Sequence, residues 1–80
     1  MRPAQHRFNP NTADWSELAA LPGLGATLAK RIVAYRQGRR AALADPRAVV
    51  FRRPQDLEAI RGIGPKKAAT MGKMLFFSDQ

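Results

Sequence analysis

The sequence predicts an all-α domain in which four main helices form two copies of one repeated unit. Three observations predict it. The 80 residues are 45% hydrophobic, which suffices for one small core, and they include no cysteine for a disulfide framework. Apolar residues recur at helical spacing in successive segments. The strings LPGLG (21–25) and IRGIG (60–64) place the same glycine pattern ahead of two of these segments.

The chain is expected to begin with an extended lead, residues 1–10, which is polar and contains two prolines. Phe8 is the only large apolar residue in this lead, so we expect it to pack on the core. The single histidine, His6, precedes the first periodic segment. We therefore interpret it as a solvated residue, and not as part of a metal or catalytic site.

The first helix of the first motif (14–37) should begin at Asp14, a residue type that is preferred at the N-cap position. Glu17 follows at the spacing of a capping box. An apolar stripe then recurs at steps of three, and Pro22 ends the helix. The members of that stripe are Trp15, Leu18 and Leu21.

The second helix is predicted over residues 25–37, with Gly38 as its C-terminal stop. One face should be apolar, and the basic residues should lie elsewhere on the helix. The apolar face comprises Leu28, Ala29, Ile32 and Val33, and the basic residues are Lys30, Arg31 and Arg36.

A connection of residues 38–53 separates the two motifs and is long for a link between helices. We expect an extra turn or loop there, with Phe51 turned inward. The second motif is predicted over 54–75, with Pro54 at the first helical position of the third helix. The motifs and their connection should form one domain over 11–77.

The two glycine strings belong to a longer repeat, because Gly23 and Gly62 are 39 positions apart and apolar residues on both sides match at the same offset. The first glycine of each string can adopt a positive φ, which reverses the chain after a helix. The second glycine stands where a new helix begins with unpaired N–H groups, a place that attracts phosphate. The alternative interpretation, two plain turns between helices, explains the first glycine better than the second.

Charge and composition narrow the classes of function. The formal net charge is +8, which favours a polyanionic partner such as nucleic acid or an acidic membrane surface. No apolar run is long enough to span a bilayer and none is typical of a signal peptide, so a cytoplasmic location is the default expectation.

Asp56 and Glu58 lie two residues apart on a predicted helix and point in different directions. We expect no catalytic residue, metal, cofactor or small-molecule substrate.

The segments NPNTADWSELAALPGLGATLAKRIVAYR (9–36) and FRRPQDLEAIRGIGPKKAATM (51–71) resemble the tandem helix-hairpin-helix domain of ComEA-like competence proteins. The resemblance covers roughly residues 8–75. It implies a compact, pseudo-twofold domain that binds double-stranded DNA through backbone phosphates, independently of sequence. The connection is longer than that family usually shows, and Pro65 has no N–H to donate, so Gly64, Lys66 and Lys67 must do so. The 80-residue sequence includes no counterpart of the family's membrane anchor, which puts a role in DNA uptake in doubt.

The predicted DNA-binding residues are the two hairpins, the helix starts that follow them and nearby cations. They are Gly23, Leu24, Gly25, Ala26, Thr27, Lys30, Arg61, Gly62, Ile63, Gly64, Lys66 and Lys67. Arginines of the connection either extend this basic surface or form a solvated loop; they are Arg39, Arg40, Arg52 and Arg53. The alternative function is a protein-interaction or structural module on the same fold, with Phe76 and Phe77 facing a protein partner.

Overall fold

The computed structural model describes residues 8–77, so His6 and most of the predicted lead lie outside the described residues. Within this range the all-α prediction is confirmed, because the chain forms four helices and no strand. They are α1 (Trp15–Ala19), α2 (Gly25–Leu43), a 3₁₀ helix (Pro54–Ala59) and α3 (Pro65–Gly72). None of these helices is long and apolar enough to cross a membrane.

Helix α1 begins as predicted, with Asp14 as its N-cap in an extended conformation. The Asp14 N–H donates to the Glu17 carboxylate at 2.9 Å, which is half of a capping box. Leu18 is fully buried, but Trp15 is 42% exposed, so its assignment to the apolar stripe is wrong. The Lys30 ammonium lies 4.5 Å from the centre of the Trp15 ring and covers part of that exposed face.

Helix α2 continues past Gly38, so the predicted stop at that residue is wrong. A single glycine costs a helix only about 1 kcal/mol, and the residues that follow are strong helix formers. The helix ends at Leu43 because Ala44 adopts a left-handed conformation, with φ 55° and ψ 35°. The N–H groups of Ala44 and Asp45 then donate to the carbonyls of Ala41 and Arg40 at 3.1 and 3.0 Å, which is the Schellman arrangement. The extra turn expected in the connection is therefore a continuation of α2.

Arg36 is buried, although the sequence pattern placed it away from the apolar face of α2. It follows Ala29 and Ile32 at helical spacing, and one Nη atom donates to the carbonyls of Pro10 and Ala13 at 2.8 and 2.9 Å. Burial lowers the pKa of its guanidinium, the nearby charge of Arg40 lowers it further, and Asp14 opposes both effects. Arg36 thus holds the segment before α1 against α2.

Asn11 joins the segment before α1 to the connection between the motifs. Its amide nitrogen donates to the Phe51 carbonyl at 2.7 Å, and its amide oxygen accepts the N–H groups of Val50 and Phe51 at 2.7 and 2.8 Å. Arg40 adds bonds to the carbonyls of Asn11 and Ala48 at 2.7 and 2.9 Å. Arg40 is therefore part of the packed connection and not an exposed basic residue, and Phe51 is fully buried as predicted.

The second motif begins at Pro54 as predicted, but its first helix is a 3₁₀ helix of six residues. The Asp56 carboxylate accepts the N–H groups of Arg52 and Arg53 at 2.9 and 3.3 Å, so Asp56 stabilises the start of this helix although the Arg53 side chain makes no cap hydrogen bond. A parallel bridge joins Phe8 to Leu75. Residues from both motifs and from the connection meet in one core; they include Leu18, Leu24, Ala29, Ile32, Phe51, Leu57, Ile60, Ile63, Ala68, Met71 and Leu75.

Candidate nucleic-acid interface

Two tight turns carry the repeated glycines, and we call residues 21–27 the first corner and residues 60–67 the second corner. Gly23 has φ +82° and Gly62 has φ +98°. Both values lie in the left-handed region that side chains with a Cβ rarely adopt, so the first glycine of each corner is required by the turn itself.

The residue between the two glycines is buried in both corners. Leu24 and Ile63 are each 4% exposed and pack in the core. Their N–H groups donate inward, to the carbonyls of Leu21 and Ile60, at 3.2 and 3.0 Å. Each corner is therefore anchored to the core by one buried apolar side chain and one backbone hydrogen bond. The backbone of its two glycines faces outward.

The second glycines differ between the corners. Gly25 has φ +72°, whereas Gly64 has φ −95° and ψ −176°, an extended conformation open to any residue. A Cβ added at either position would meet no atom within 4 Å. The space in front of both glycines is open, and at Gly64 neither the backbone conformation nor the packing requires glycine.

Backbone N–H groups at both corners have no partner within the described residues. At the first corner they belong to Gly25, Ala26 and Thr27, which open α2. At the second corner they belong to Gly64, Lys66 and Lys67, since Pro65 occupies the first position of α3. A helix start concentrates partial positive charge, so each corner offers a set of donors suited to an anion. All six residues are exposed except Lys67, which is half-buried.

Reciprocal contacts place the two corners side by side. The Lys67 ammonium donates to the Gly23 carbonyl at 3.1 Å. A Cβ at Gly62 would lie 2.8 Å from Leu28, so that side chain packs directly on the second corner. Leu28 and Lys67 are 39 positions apart, as are Gly23 and Gly62, so the contacts are related by the pseudo-twofold of the repeat.

A shallow groove of about 500 Å³ lies between the corners. Gly23 lines it from one side and Gly62 and Gly64 line it from the other, together with Lys66 and Lys67. Gly23 of the first corner and the glycines of the second corner therefore face one groove.

Of the cations predicted from the sequence, Lys66 and Lys67 line this groove, whereas Lys30 and Arg61 do not. Arg61 and Lys66 are exposed at the second corner. Lys30 lies over Trp15, on the α1 side of α2. Arg31 was not among the predicted site residues, yet it donates to the Arg61 carbonyl at 3.0 Å. The repeat pattern gave no signal for this contact, because it shows which residues are equivalent and not which helix packs on which corner.

Comparison with known proteins identifies a family. A family model described as the helix-hairpin-helix motif matches residues 3–75, which is most of the chain. No curated protein and no solved structure matched the chain. The matched region includes both corners, and the motif is generally associated with nucleic-acid binding.

Proposed function

The chain belongs to the helix-hairpin-helix family, and from this membership we propose that it binds double-stranded DNA without reading its sequence. The observation that supports the proposal best is the pair of unpartnered N–H clusters at two adjoining corners. Each cluster would hold one backbone phosphate. Contacts to phosphates position a protein on DNA and carry no direct sequence information.

The pseudo-twofold relation of the corners suits the two strands of a duplex, which are themselves related by twofold axes. We propose that the first corner binds a phosphate of one strand and the second corner a phosphate of the other, across the minor groove. Lys66 and Arg61 add attraction at the second corner, and the net charge of +8 draws the molecule to a polyanion. The domain acts by binding, and we assign no catalytic step to it.

Within the family, we propose an affiliation with the ComEA-like tandem domains. It rests on the two segments at 9–36 and 51–71 and on their spacing. The longer connection is the main departure from that group, and in this chain it extends α2.

Binding is tested by fluorescence anisotropy with labelled duplexes of two unrelated sequences. The affinity should be equal for both and should exceed that for a single strand. Displaced counterions make the affinity dependent on salt, so neutralising the two corner phosphates predicts roughly a tenfold loss between about 50 and 200 mM salt. A protein that fails to bind either duplex at the lower salt would refute the proposal. Specific cleavage of plasmid with a divalent metal would refute the assignment of binding alone.

The contribution of the corner itself is tested by Gly64→Ala. The backbone at Gly64 accepts alanine, and the new Cβ would project into the open space where phosphate is proposed to approach. Losing one charge-assisted hydrogen bond costs about 1.5–3 kcal/mol, so the affinity should fall at least tenfold while the thermal stability is retained. Gly38→Ala is the matched control, since its Cβ also meets open space but lies far along α2. Equal affinity for the two variants would mean that the corner does not hold the DNA.

A second candidate function, a protein-interaction module, is favoured by the aromatic residues after α3. Phe76 is 55% exposed, and Phe77 is half-buried beside it. This candidate replaces the first if no duplex binds at low salt.

A further inference from the structure

We propose that each phosphate-binding corner is completed by a cation from the helix of the other motif, and that Arg31 of α2 binds phosphate at the second corner. This inference rests on the proposed function and names residues that the sequence repeat does not reveal. It implies that neither motif alone forms a complete site.

The position and orientation of Arg31 carry the proposal. One Nη atom donates to the Arg61 carbonyl at 3.0 Å and lies 3.2 Å from the point that a Cβ at Gly62 would occupy. The guanidinium is therefore held against the turn of the second corner by one of its five N–H donors, which leaves the others for a ligand. A planar group already oriented in this way loses little conformational freedom when it binds an anion.

The charge of Arg31 is not neutralised by a neighbouring carboxylate. Among residues 8–77 the ion pair joins Arg53 to Asp56, at 3.9 Å, and Arg31 takes no part in it. Arg31 and Arg61 also line a shallow hollow of about 250 Å³, and no acidic residue is part of its lining. The hollow adjoins the second corner, and two guanidinium groups at its rim suit the oxygens of a phosphodiester. The occupant we assign is the backbone phosphate that the second corner holds.

The first corner receives its cation from the opposite direction. Lys67 of α3 donates to the Gly23 carbonyl at 3.1 Å, so its ammonium lies at the first corner although its own N–H belongs to the second. At the repeat offset, Lys67 corresponds to Leu28 and Arg31 corresponds to Thr70. The two corners thus gain equivalent charges from residues that are not equivalent in the repeat. Pro65 leaves the second corner with one N–H donor fewer, and Arg31 adds a donor to this corner.

The test compares Arg31→Gln with Arg39→Gln in the full chain. Both arginines are exposed on α2, and both substitutions remove one charge, but Arg39 lies about 12 Å further along the helix. For Arg31→Gln we expect a five- to tenfold loss of duplex affinity. The negative slope of log Kobs against log salt should become shallower by about 0.9. For Arg39→Gln we expect less than a twofold loss and an unchanged slope.

Equal losses in the two variants would overturn the proposal, because they would show only the general effect of net charge. Thermal unfolding of each variant checks that it is folded. If Arg31→Gln does not fold, Arg31→Lys is measured instead. The lysine ammonium cannot bind the Arg61 carbonyl and a phosphate through one planar group, so the duplex affinity should fall at least threefold. Unchanged affinity would overturn the proposal. Failure of the proposed function is seen separately, as a wild-type protein that binds no duplex or a Gly64→Ala variant that binds normally.

Discussion

Replacing Gly38 with alanine should stabilise the protein, and the sign of the change tests where α2 ends. Gly38 lies inside α2, and an added Cβ would meet no atom within 4 Å. Glycine in a helix interior is less favourable than alanine by about 0.5–1 kcal/mol, chiefly because glycine loses more backbone freedom on folding. Since no neighbour has to move, the free energy of unfolding should rise by about this amount.

The opposite sign is expected if the helix stops at Gly38, as its sequence pattern suggests. A glycine that terminates a helix commonly adopts the left-handed conformation, in which alanine costs about 1 kcal/mol or more. In a domain of 80 residues, 1 kcal/mol corresponds to a shift in Tm of about 4–8 °C. Thermal unfolding followed by far-UV circular dichroism resolves such a shift. A lower Tm for Gly38→Ala than for the wild type would refute the long α2.

Two further substitutions test the connection between the motifs. Ala44→Gly should raise the free energy of unfolding by about 0.5–1 kcal/mol, because Ala44 has a left-handed conformation at φ 55° that glycine adopts without strain. Urea unfolding measures this gain. A loss of stability would mean that α2 ends at another residue. Asn11→Ala should lower the free energy of unfolding by about 3 kcal/mol, since the N–H and the carbonyl of the buried Phe51 both lose their hydrogen-bond partner. Asn9→Ala is the control for Asn11, because it removes bonds to Asn11 but leaves those between Asn11 and Phe51 intact. Equal losses in the last two variants would contradict the importance given to the Asn11 amide.

Features fixed by local chemistry were predictable from the sequence. Asp14 and Pro54 begin helices because their side chains suit those positions in any context. The positive φ of Gly23 and Gly62 follows from the need to reverse the chain after a helix. Burial of Phe51 was predictable because it is a large apolar residue in a basic segment.

Features that depend on tertiary contacts were not predictable in the same way. Arg36 is buried because two backbone carbonyls of the preceding segment accept its hydrogen bonds, which no periodicity reveals. Trp15 is 42% exposed, and the contact of Lys30 with one face of its ring is likewise not visible in the periodicity. Arg31 reaches the second corner only because α2 packs on the other motif. Gly38 shows the complementary case, in which good helix formers on both sides outweigh one unfavourable residue.

The bridge between Phe8 and Leu75 has a mechanical consequence. The Phe76 N–H donates to the Phe8 carbonyl at 2.9 Å, so the two ends of the described chain are tied together. A tension applied between these ends would load the bridge and the packing of Phe8 before it reached either glycine turn. The separation of the two turns would then stay constant under a modest pull, and a domain tethered at both ends would keep its contact geometry until the bridge ruptured.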